Sequence, residues 1–338
     1  MSAREHILPV FVPHLGCPND CVFCNQRRIS GHQEPANAQT VREVIEKAAA
    51  LPLPGAKRQL AFYGGSFTAI PTGQQEELLG AAREAIRQGT IQSIRLSTRP
   101  DAVDAAVLRR LKYYGVETVE LGAQSMDDQV LRLSGRGHTT ADVENAAHLV
   151  KEAGFRLILQ MMTGLPGDTE EKDLETARRL IALRPEGVRI YPTVIVRDTA
   201  LYDLWKAGLY AEHTVEDAVS VCAKLLPLFE EADIPVIRLG LNPTEELSGG
   251  DAVGGAYHPA LGELVKSRIL REKARTVLES AGVSGRVTLG IPAPYLSQLI
   301  GQHRQNVETL RTQFHLTELR VRPVDGKKPK ITILSVEK

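Results

Sequence analysis

Short apolar runs alternate with longer amphipathic stretches along the first two thirds of the chain. The apolar runs are bounded by polar or glycine-containing turns, which predicts buried strands. The predicted strands are Ile7–Val12, Gln59–Tyr63, Ser93–Ser97, Thr118–Gly122, Leu157–Met162, Val188–Val196 and Pro235–Leu239. Apolar residues that recur every three or four positions predict the helices between them. These helices are Thr40–Leu51, Gly73–Arg87, Ala102–Tyr113, Thr140–Ala153, Glu170–Leu183, Tyr202–Ala207 and Val215–Ala232.

This strand-then-helix order, repeated about six times, indicates an α/β fold with parallel strands and right-handed crossovers. Two architectures satisfy that pattern. One is a partial or complete (β/α) barrel, whose site lies at the carboxyl ends of the strands. The other is an open, doubly wound sheet. Polar residues recur where several strands end, which favours the barrel.

The last third of the chain has a different character and sets the predicted domain boundaries. Residues 1–240 form the predicted barrel, and 241–283 a linker followed by a long helix. Residues 284–338 are predicted to form a small α+β domain. Two short helices in that domain flank the turn Gly301-Gln-His-Arg304, an arrangement similar to a KH module. The similarity is degenerate because Arg304 replaces the second glycine of the usual GxxG turn.

Charge separates this tail from the rest of the chain. The 338 residues carry 41 basic and 41 acidic side chains, a net charge of +0. Residues 284–338 hold nine lysines and arginines and four acids, so their net charge is +5. Clustered cations of this kind bind nucleic-acid phosphates, although a solvated charged surface is the alternative. The candidate RNA-binding residues are Arg304, Arg311, Lys327 and Lys328.

The remaining composition is that of an ordinary globular protein, with 43% hydrophobic and 24% charged residues. No apolar run reaches the length of a membrane span, and the first residues do not resemble a secretion signal. We therefore expect a cytoplasmic protein with no membrane partner.

Three of the four cysteines have the spacing Cys17-x3-Cys21-x2-Cys24. Three thiolates on one loop can hold three irons of a cubane iron–sulfur cluster, which leaves the fourth iron open. A zinc site completed by His14 or His32 is the alternative, and a disulfide framework is disfavoured in a long chain with few cysteines. Cys222 lies in an apolar helical stripe and is predicted to be a core residue.

The cysteine spacing, with the aromatic Phe23 before the third cysteine, resembles the radical S-adenosylmethionine (SAM) superfamily. That resemblance implies a [4Fe-4S] cluster on the three cysteines, SAM at the open iron and a partial (β/α)6-type barrel. Across roughly residues 5–240 the chain is also similar to the radical SAM part of the Elongator catalytic subunit, a tRNA-uridine-modifying enzyme. The motifs that carry this similarity are Tyr63-Gly-Gly, Ser97-Thr-Arg-Pro-Asp, Gly122-Ala-Gln-Ser, Arg136-Gly-His-Thr, Gly164-Leu-Pro and the string from Tyr191 through Arg197 to Trp205.

The resemblance implies roles for individual residues. In radical SAM enzymes the glycines after the second strand contact the amino group of SAM. The third residue there is usually acidic but is Ser66 here, which offers a hydroxyl or a carbonyl. Arg99 is expected to pair with the SAM carboxylate, and Tyr191 and Arg197 to line the substrate side as catalytic residues with the cysteines. The residues expected to bind cofactor are Phe23, Gly64, Gly65, Ser66, Arg99, Gln124 and Gln160.

The leading hypothesis is an enzyme, a transferase or oxidoreductase, that cleaves SAM reductively and modifies a nucleoside in tRNA or rRNA. A flavodoxin- or ferredoxin-type protein would donate the electron. Residues 241–338 do not resemble the acetyltransferase domain of the Elongator subunit, so acetyl transfer is not expected. A radical SAM enzyme acting on a small molecule such as a tetrapyrrole, and a non-catalytic iron–sulfur RNA-binding protein, remain the alternatives.

Overall fold

The computed structural model describes residues 5–12, 17, 21–25, 36–50, 55, 57–244 and 247–337. Two compact units make up the chain. The first contains residues 1–214 and 228–257, and the second contains residues 215–227 and 258–338. The segment 241–283, predicted as a linker and a long helix, is therefore divided between the two units, and its helix belongs to the second.

Parallel strands dominate the described part of the first unit. The sheet is built from β1 (Glu5–Phe11), β2 (Lys57–Tyr63), β3 (Ser93–Thr98), β4 (Val116–Gln124), β5 (Arg156–Thr163), β6 (Gly187–Pro192) and β8 (Val236–Leu239). These seven strands are hydrogen-bonded in that order, and each pair is parallel. The helices in or entering this unit are α1 (Ala38–Ala49), α2 (Thr72–Arg87), α3 (Ala105–Tyr114), α4 (Asp128–Leu133), α5 (Thr140–Glu152), α6 (Glu170–Ala182), α7 (Ala200–Lys206) and α8 (Val215–Glu231).

The sheet curls into a half-barrel. Ile7 on β1 and Ile237 on β8, at opposite edges of the sheet, line the same cavity. A flat open sheet would hold these edges far apart, since neighbouring strands are about 4.8 Å apart. The α/β prediction and the partial barrel are therefore confirmed, with seven parallel strands rather than six.

Local sequence signals set where the helices begin. Asn37 caps α1, and its side chain accepts hydrogen bonds from the backbone N–H groups of Gln39 and Thr40. Thr139 caps α5 and forms a capping box with Asp142. Such caps satisfy N–H groups that have no partner within the helix.

The predicted strand Val188–Val196 was wrong as one element, because it is two strands. β6 ends at Pro192, which has no N–H to continue the ladder. Thr193 then bonds through both its N–H and its hydroxyl to the Thr163 carbonyl. The next strand, β7 (Val194–Val196), pairs with β9 (Ala252–Gly255) in a segment that the sequence predicted as a loop. The helix α4 was also not predicted.

The second unit is a small α+β domain, as predicted. It contains α9 (Leu261–Ala281), β10 (Arg286–Pro292), α10 (Leu296–Ile300), α11 (Gln305–Gln313), β11 (Glu318–Val324) and β12 (Thr332–Glu337). β10 pairs in parallel with β11 and antiparallel with β12. Apolar residues of α9, α10 and α11 pack on one face of this sheet. None of the helices in the described part of the chain combines the length and apolarity needed to cross a bilayer.

The turn between α10 and α11 is backbone-strained. Gly301 has φ +77°, and a Cβ there would lie 3.0 Å from the Asn306 side chain. His303 and Arg304 also have positive φ values, 48° and 64°, which non-glycine residues adopt rarely. The strand–helix–turn–helix–strand order predicted for a KH-like element is present.

Candidate active site

The half-barrel encloses a cavity of about 800 Å³. Inward-facing residues of all seven parallel strands contribute to its wall, together with the cysteine loop that follows β1. This cavity brings together most of the predicted site residues. Those lining it are Cys17, Cys21, Phe23, Cys24, Gly64, Gly65, Ser66, Arg99, Gln124, Gln160 and Tyr191.

The described part of the cysteine loop is held from two sides. Its own turn is closed by the Cys24 N–H, which donates to the Cys21 carbonyl at 2.9 Å. The Val22 N–H donates to Ser134 O at 3.1 Å, and Val22 O accepts from the Leu201 N–H at 2.7 Å. The string after Tyr191 thus supports the cysteine loop, a role that its sequence did not reveal.

Arg136 contacts a predicted cluster ligand directly. Its Nη1 donates to Cys21 Sγ at 3.3 Å, and its Nη2 donates to Gly122 O at 2.8 Å. Both Cys21 and Arg136 are buried. A cation beside a sulfur stabilises the negatively charged thiolate that binds iron. The sequence identified Arg136 only as the first residue of the motif Arg136-Gly-His-Thr, so this contact was missed.

The three cysteine side chains all line the cavity. Across the described residues, no three His, Cys, Asp or Glu side chains are grouped so that they could hold one metal ion. Zinc needs all its thiolates at about 2.3 Å from a single centre, whereas each cysteine of a cubane cluster binds a different iron. His14 and His32, named in the zinc alternative, lie outside the described residues.

Gln124 is buried with an unused hydrogen-bonding group. A register shift between Gly122 and Gln124 disrupts the pairing of β4 with β5, and Gln124 has φ 67°. Bulges and left-handed residues of this kind often re-aim a side chain at a functional site. Gln124 Oε1 has no hydrogen-bond partner among the described residues. Because buried polar atoms are normally paired, this oxygen fits a donor from a bound ligand, such as a ribose hydroxyl.

A side chain at position 122 would disturb this arrangement. A Cβ there would lie 2.8 Å from Gln124 Nε2 and 3.3 Å from Arg136 Nη2. Glycine therefore leaves room for the two polar side chains that border the cysteines.

Ser66 and Arg99 are engaged differently from the expectation. The Ser66 hydroxyl bonds to Thr98 Oγ1 at 3.0 Å and accepts from the Arg99 N–H at 3.2 Å. A ligand contact from Ser66 would therefore come from its backbone. The Arg99 guanidinium donates two hydrogen bonds to the Asp101 carboxylate, each at 2.9 Å. A bidentate pair of Arg99 with a SAM carboxylate stays a prediction, and it would require the ligand to replace Asp101 as the partner of Arg99.

Gln160 joins a network of buried charged side chains centred on Glu120. Its Nε2 donates to Glu120 Oε2 at 3.1 Å. Glu120 is fully buried and also accepts hydrogen bonds from Tyr63, Arg95 and Arg189 at 2.8–3.2 Å. Burial, followed by the Glu120 charge, raises the pKa of the Tyr63 hydroxyl, so Tyr63 remains a neutral donor.

The sequence missed this network, although a signal was present. Arg95, Glu120, Arg189 and Arg238 interrupt apolar strands, and successive strand residues alternate between the two faces. A charged residue within an otherwise apolar strand therefore indicates that one face of the sheet lines a polar cavity.

Tyr191 and Arg197, the two predicted substrate-side residues, lie in different places. Tyr191 lines the cavity and packs, as Phe23 does, against the apolar cluster that contains Met162. Arg197 is exposed and is not among the cavity-lining residues. Its Nε donates to Gly250 O at 3.1 Å, which fastens β7 to the segment before β9. A catalytic role for either residue stays a prediction.

His138 is buried behind β4. Its Nε2 lies 3.2 Å from Ala123 O. Burial, with the Arg136 cation next in importance, lowers the pKa of His138 to about 4. The ring is therefore neutral at physiological pH.

The predicted RNA-binding residues belong to the second unit. Arg304, Lys327 and Lys328 are exposed. Arg311 pairs with Glu308 at 3.0 Å, which partly neutralises it. RNA binding by these four residues stays a prediction.

Two family profiles match the chain. The profile described as Radical SAM superfamily matches residues 11–180, and the Radical_SAM C-terminal domain matches residues 185–271. Human Elongator complex protein 3 is 31% identical over 192 residues, which cover 51% of this chain and 35% of that protein. The tRNA uridine(34) acetyltransferase of Dehalococcoides mccartyi is 27% identical over 283 residues, covering 71% of this chain and 62% of that protein. The chain thus spans about a third of the human relative.

Solved structures share the fold. The archaeal Methanocaldococcus infernus Elp3 with an N-terminal deletion superposes with a TM-score of 0.64 at 22% identity, covering 80% of this chain and 64% of that one. Coproporphyrinogen III oxidase from Escherichia coli gives a TM-score of 0.50 at 19% identity, covering 68% and 53%. At these identities the likeness establishes the fold alone.

Proposed function

Because the chain belongs to the radical SAM superfamily, we propose that it reductively cleaves SAM and uses the resulting 5′-deoxyadenosyl radical to modify a nucleoside in tRNA or rRNA. The cofactors of this superfamily are a [4Fe-4S] cluster and SAM, as the sequence led us to expect. Cys17, Cys21 and Cys24 would hold the cluster, and a flavodoxin- or ferredoxin-type protein would supply the electron.

One observation carries the proposal. The three thiols, the glycine pair after β2 and the unpaired Gln124 oxygen all line a single cavity. A thiolate triad leaves one iron open to a chelating ligand, and glycines let the backbone approach that ligand closely. The cavity is also of the size that small-molecule sites have.

The residues around the thiols would control charge and water. Arg136 would stabilise the Cys21 thiolate by a charge-assisted hydrogen bond. The packing of Phe23 and Tyr191 against the apolar cluster that contains Met162 would exclude water beside the cysteine loop. Exclusion of water protects a reactive intermediate from side reactions.

Two observations support an RNA substrate. The relatives are named for the Elongator complex and for tRNA uridine(34) acetylation, and the second unit exposes Arg304, Lys327 and Lys328. A base in a paired stem would have to be extruded to reach a cavity inside the barrel.

The test has a biochemical and a cellular arm. Anaerobically reconstituted protein, incubated with SAM, a reductant and bulk tRNA, should release 5′-deoxyadenosine. Cys21→Ala should lose both the cluster absorbance and this product. Cys222→Ala, at a fully buried core position, is the matched control and should keep the absorbance. In cells, mass spectrometry of tRNA and rRNA nucleosides should show one nucleoside missing from a deletion strain.

The outcomes separate the alternatives. Full activity of Cys21→Ala would contradict the cluster assignment. SAM cleavage with identical nucleosides in parent and deletion strains would favour a small-molecule substrate. RNA binding without 5′-deoxyadenosine, with RNA present, would favour a non-catalytic role.

A further inference from the structure

Two arginines lie side by side on the wall of the cavity formed by β6 and β8. Arg189 and Arg238 are register partners on these strands, and both line the cavity. They belong to the same row of the sheet as Gln160 on β5. Two neighbouring cations in a partly buried wall repel each other unless anions compensate them.

Of the two guanidinium groups, only that of Arg189 pairs with a carboxylate among the described residues. Arg189 donates to Glu120 at 2.8 and 3.2 Å. Arg238 donates to the backbone oxygens of Gly240 at 2.8 Å and Leu241 at 2.6 Å. No carboxylate pairs with Arg238 among the described residues.

The surroundings of Arg238 make its charge costly. Burial lowers the pKa of Arg238, the nearby Tyr191 opposes this shift, and the Arg189 cation adds to the lowering. A guanidinium has five N–H donors, and two donate to the carbonyls, so three remain. Asn242 and Thr244 line the cavity on the same side and offer further polar groups.

We propose that Arg238, together with Arg189 and Tyr191, binds an anionic oxygen group of the substrate, a phosphate or a carboxylate, inside the half-barrel. This inference rests on the proposed function, because it assigns substrate chemistry to the same cavity. A planar guanidinium fork suits either oxyanion. In an RNA the group would be a phosphate next to the target nucleoside, and in a small molecule a carboxylate.

A purely structural role for Arg238 makes a different prediction. The bonds to Gly240 and Leu241 could serve only to shape the turn after β8. In that case the substitution Arg238→Gln would change stability but not anion affinity. Anion binding and thermal unfolding therefore need to be measured on the same variants.

The experiment is isothermal titration of the full chain, with its cluster reconstituted, at constant ionic strength. The probes are inorganic phosphate and propionate, each tested separately. Arg238→Gln should lower the affinity for the bound probe about tenfold or more, because a hydrogen bond to a charged group is lost. Arg238→Lys, which keeps the charge but not the fork, should fall between Arg238→Gln and the unmodified chain.

Two controls exclude a general charge effect. Arg87→Gln removes one cation from an exposed position on α2 and should leave the affinity unchanged. Arg320→Gln removes an exposed cation of the second unit and should also leave the affinity unchanged. An equal loss in either control, or no loss in Arg238→Gln, overturns the proposal.

The two probes distinguish the sources of the anion. Binding of phosphate in preference to propionate supports a nucleotide substrate. Binding of propionate alone supports the anion site but counts against RNA. If neither probe binds, the anion site is wrong, whereas SAM cleavage, measured separately as 5′-deoxyadenosine release, still tests the proposed function.

Discussion

Each unit contains a glutamate held between two arginines, and the two environments differ sharply. In the first unit Glu120 on β4 contacts Arg95 at 3.0 Å and Arg189 at 2.8 Å. Glu120 is fully buried, and the side chains of its partners are only 5% and 15% exposed. Removing such charges from water is expensive, so the hydrogen-bond geometry must compensate.

In the second unit Glu318 on β11 contacts Arg286 at 2.7 Å and Arg320 at 2.6 Å. These side chains are 37–48% exposed, and water solvates all three charges. The hydrogen bond from Arg320 lowers the pKa of Glu318. Pairs at the surface contribute little to stability and are screened by salt.

The comparison shows that the same charged triad serves different purposes. The triad around Glu120 is a fixed part of the cavity wall, in which each charge depends on the others. The charges of the triad around Glu318 face solvent, so their attraction to one another weakens as salt is added. The buried triad is therefore a fixed part of the cavity wall, whereas the ion pairs of the exposed triad depend on the salt concentration.

Removing the buried carboxylate should have the largest effect on stability. Glu120→Gln leaves Arg95 and Arg189 without their shared anion and should cost about 3–5 kcal/mol in the free energy of unfolding. Urea unfolding followed by the fluorescence of Trp205, the single tryptophan, would measure it. The matched variant Glu318→Gln should change stability little. Equal losses in the two variants would break the distinction between the triads.

Acid should destabilise the first unit through His138. Its pKa is 6.5 when unfolded and about 4 when folded, so the unfolded chain binds the proton more tightly. The stabilisation is present above pH 6.5 and is lost as the pH falls towards 4, by at most about 3 kcal/mol. His138→Gln should unfold with a weaker pH dependence in this window. His303→Gln, at an exposed position of the second unit, should follow the unmodified protein, and identical profiles for all three would refute the assignment.

The exposed cations of the second unit should control RNA affinity through salt. The variant R304A/K327A/K328A should weaken tRNA binding about tenfold near 0.1 M salt. The slope of log affinity against log salt should fall by about 2 if each cation neutralises one phosphate. Filter binding over a salt series would measure both values. Arg320→Gln, in the paired triad, is the control, and an unchanged slope in the triple variant would contradict a phosphate-binding surface.

The smallest expected effect is a shift in the reduction potential of the cluster. Arg136→Gln removes a cation that donates to Cys21 Sγ and should lower the reduction potential by tens of millivolts, because the reduced cluster carries more negative charge. An electron paramagnetic resonance redox titration would measure this shift independently of turnover. Arg132→Gln, at an exposed position four residues earlier, should not change the potential, and a higher potential in Arg136→Gln would contradict the contact.

Short-range patterns predicted much of the fold and part of the site. The strand Ser93–Ser97 was predicted within one residue of its observed end, because its apolar run is bounded by clear turn residues. The cysteine triplet identified its chemistry because its ligands lie within one loop. Pro192 was a local signal for the strand break that the prediction did not use, whereas the hydrogen bond from Thr193 to Thr163, thirty positions away, could not be foreseen.

By itself, the sequence determined the α/β order, the three cysteines and the basic tail, because each is a property of neighbouring residues. Only the tertiary structure decided which charges share a cavity. Arg136 reaches Cys21 across 115 positions, and Glu120 meets Arg189 across 69. Such contacts follow from the curl and the register of the sheet, which align side chains from separate strands in one space. Local periodicity indicates which face a residue occupies but not which partner it meets there.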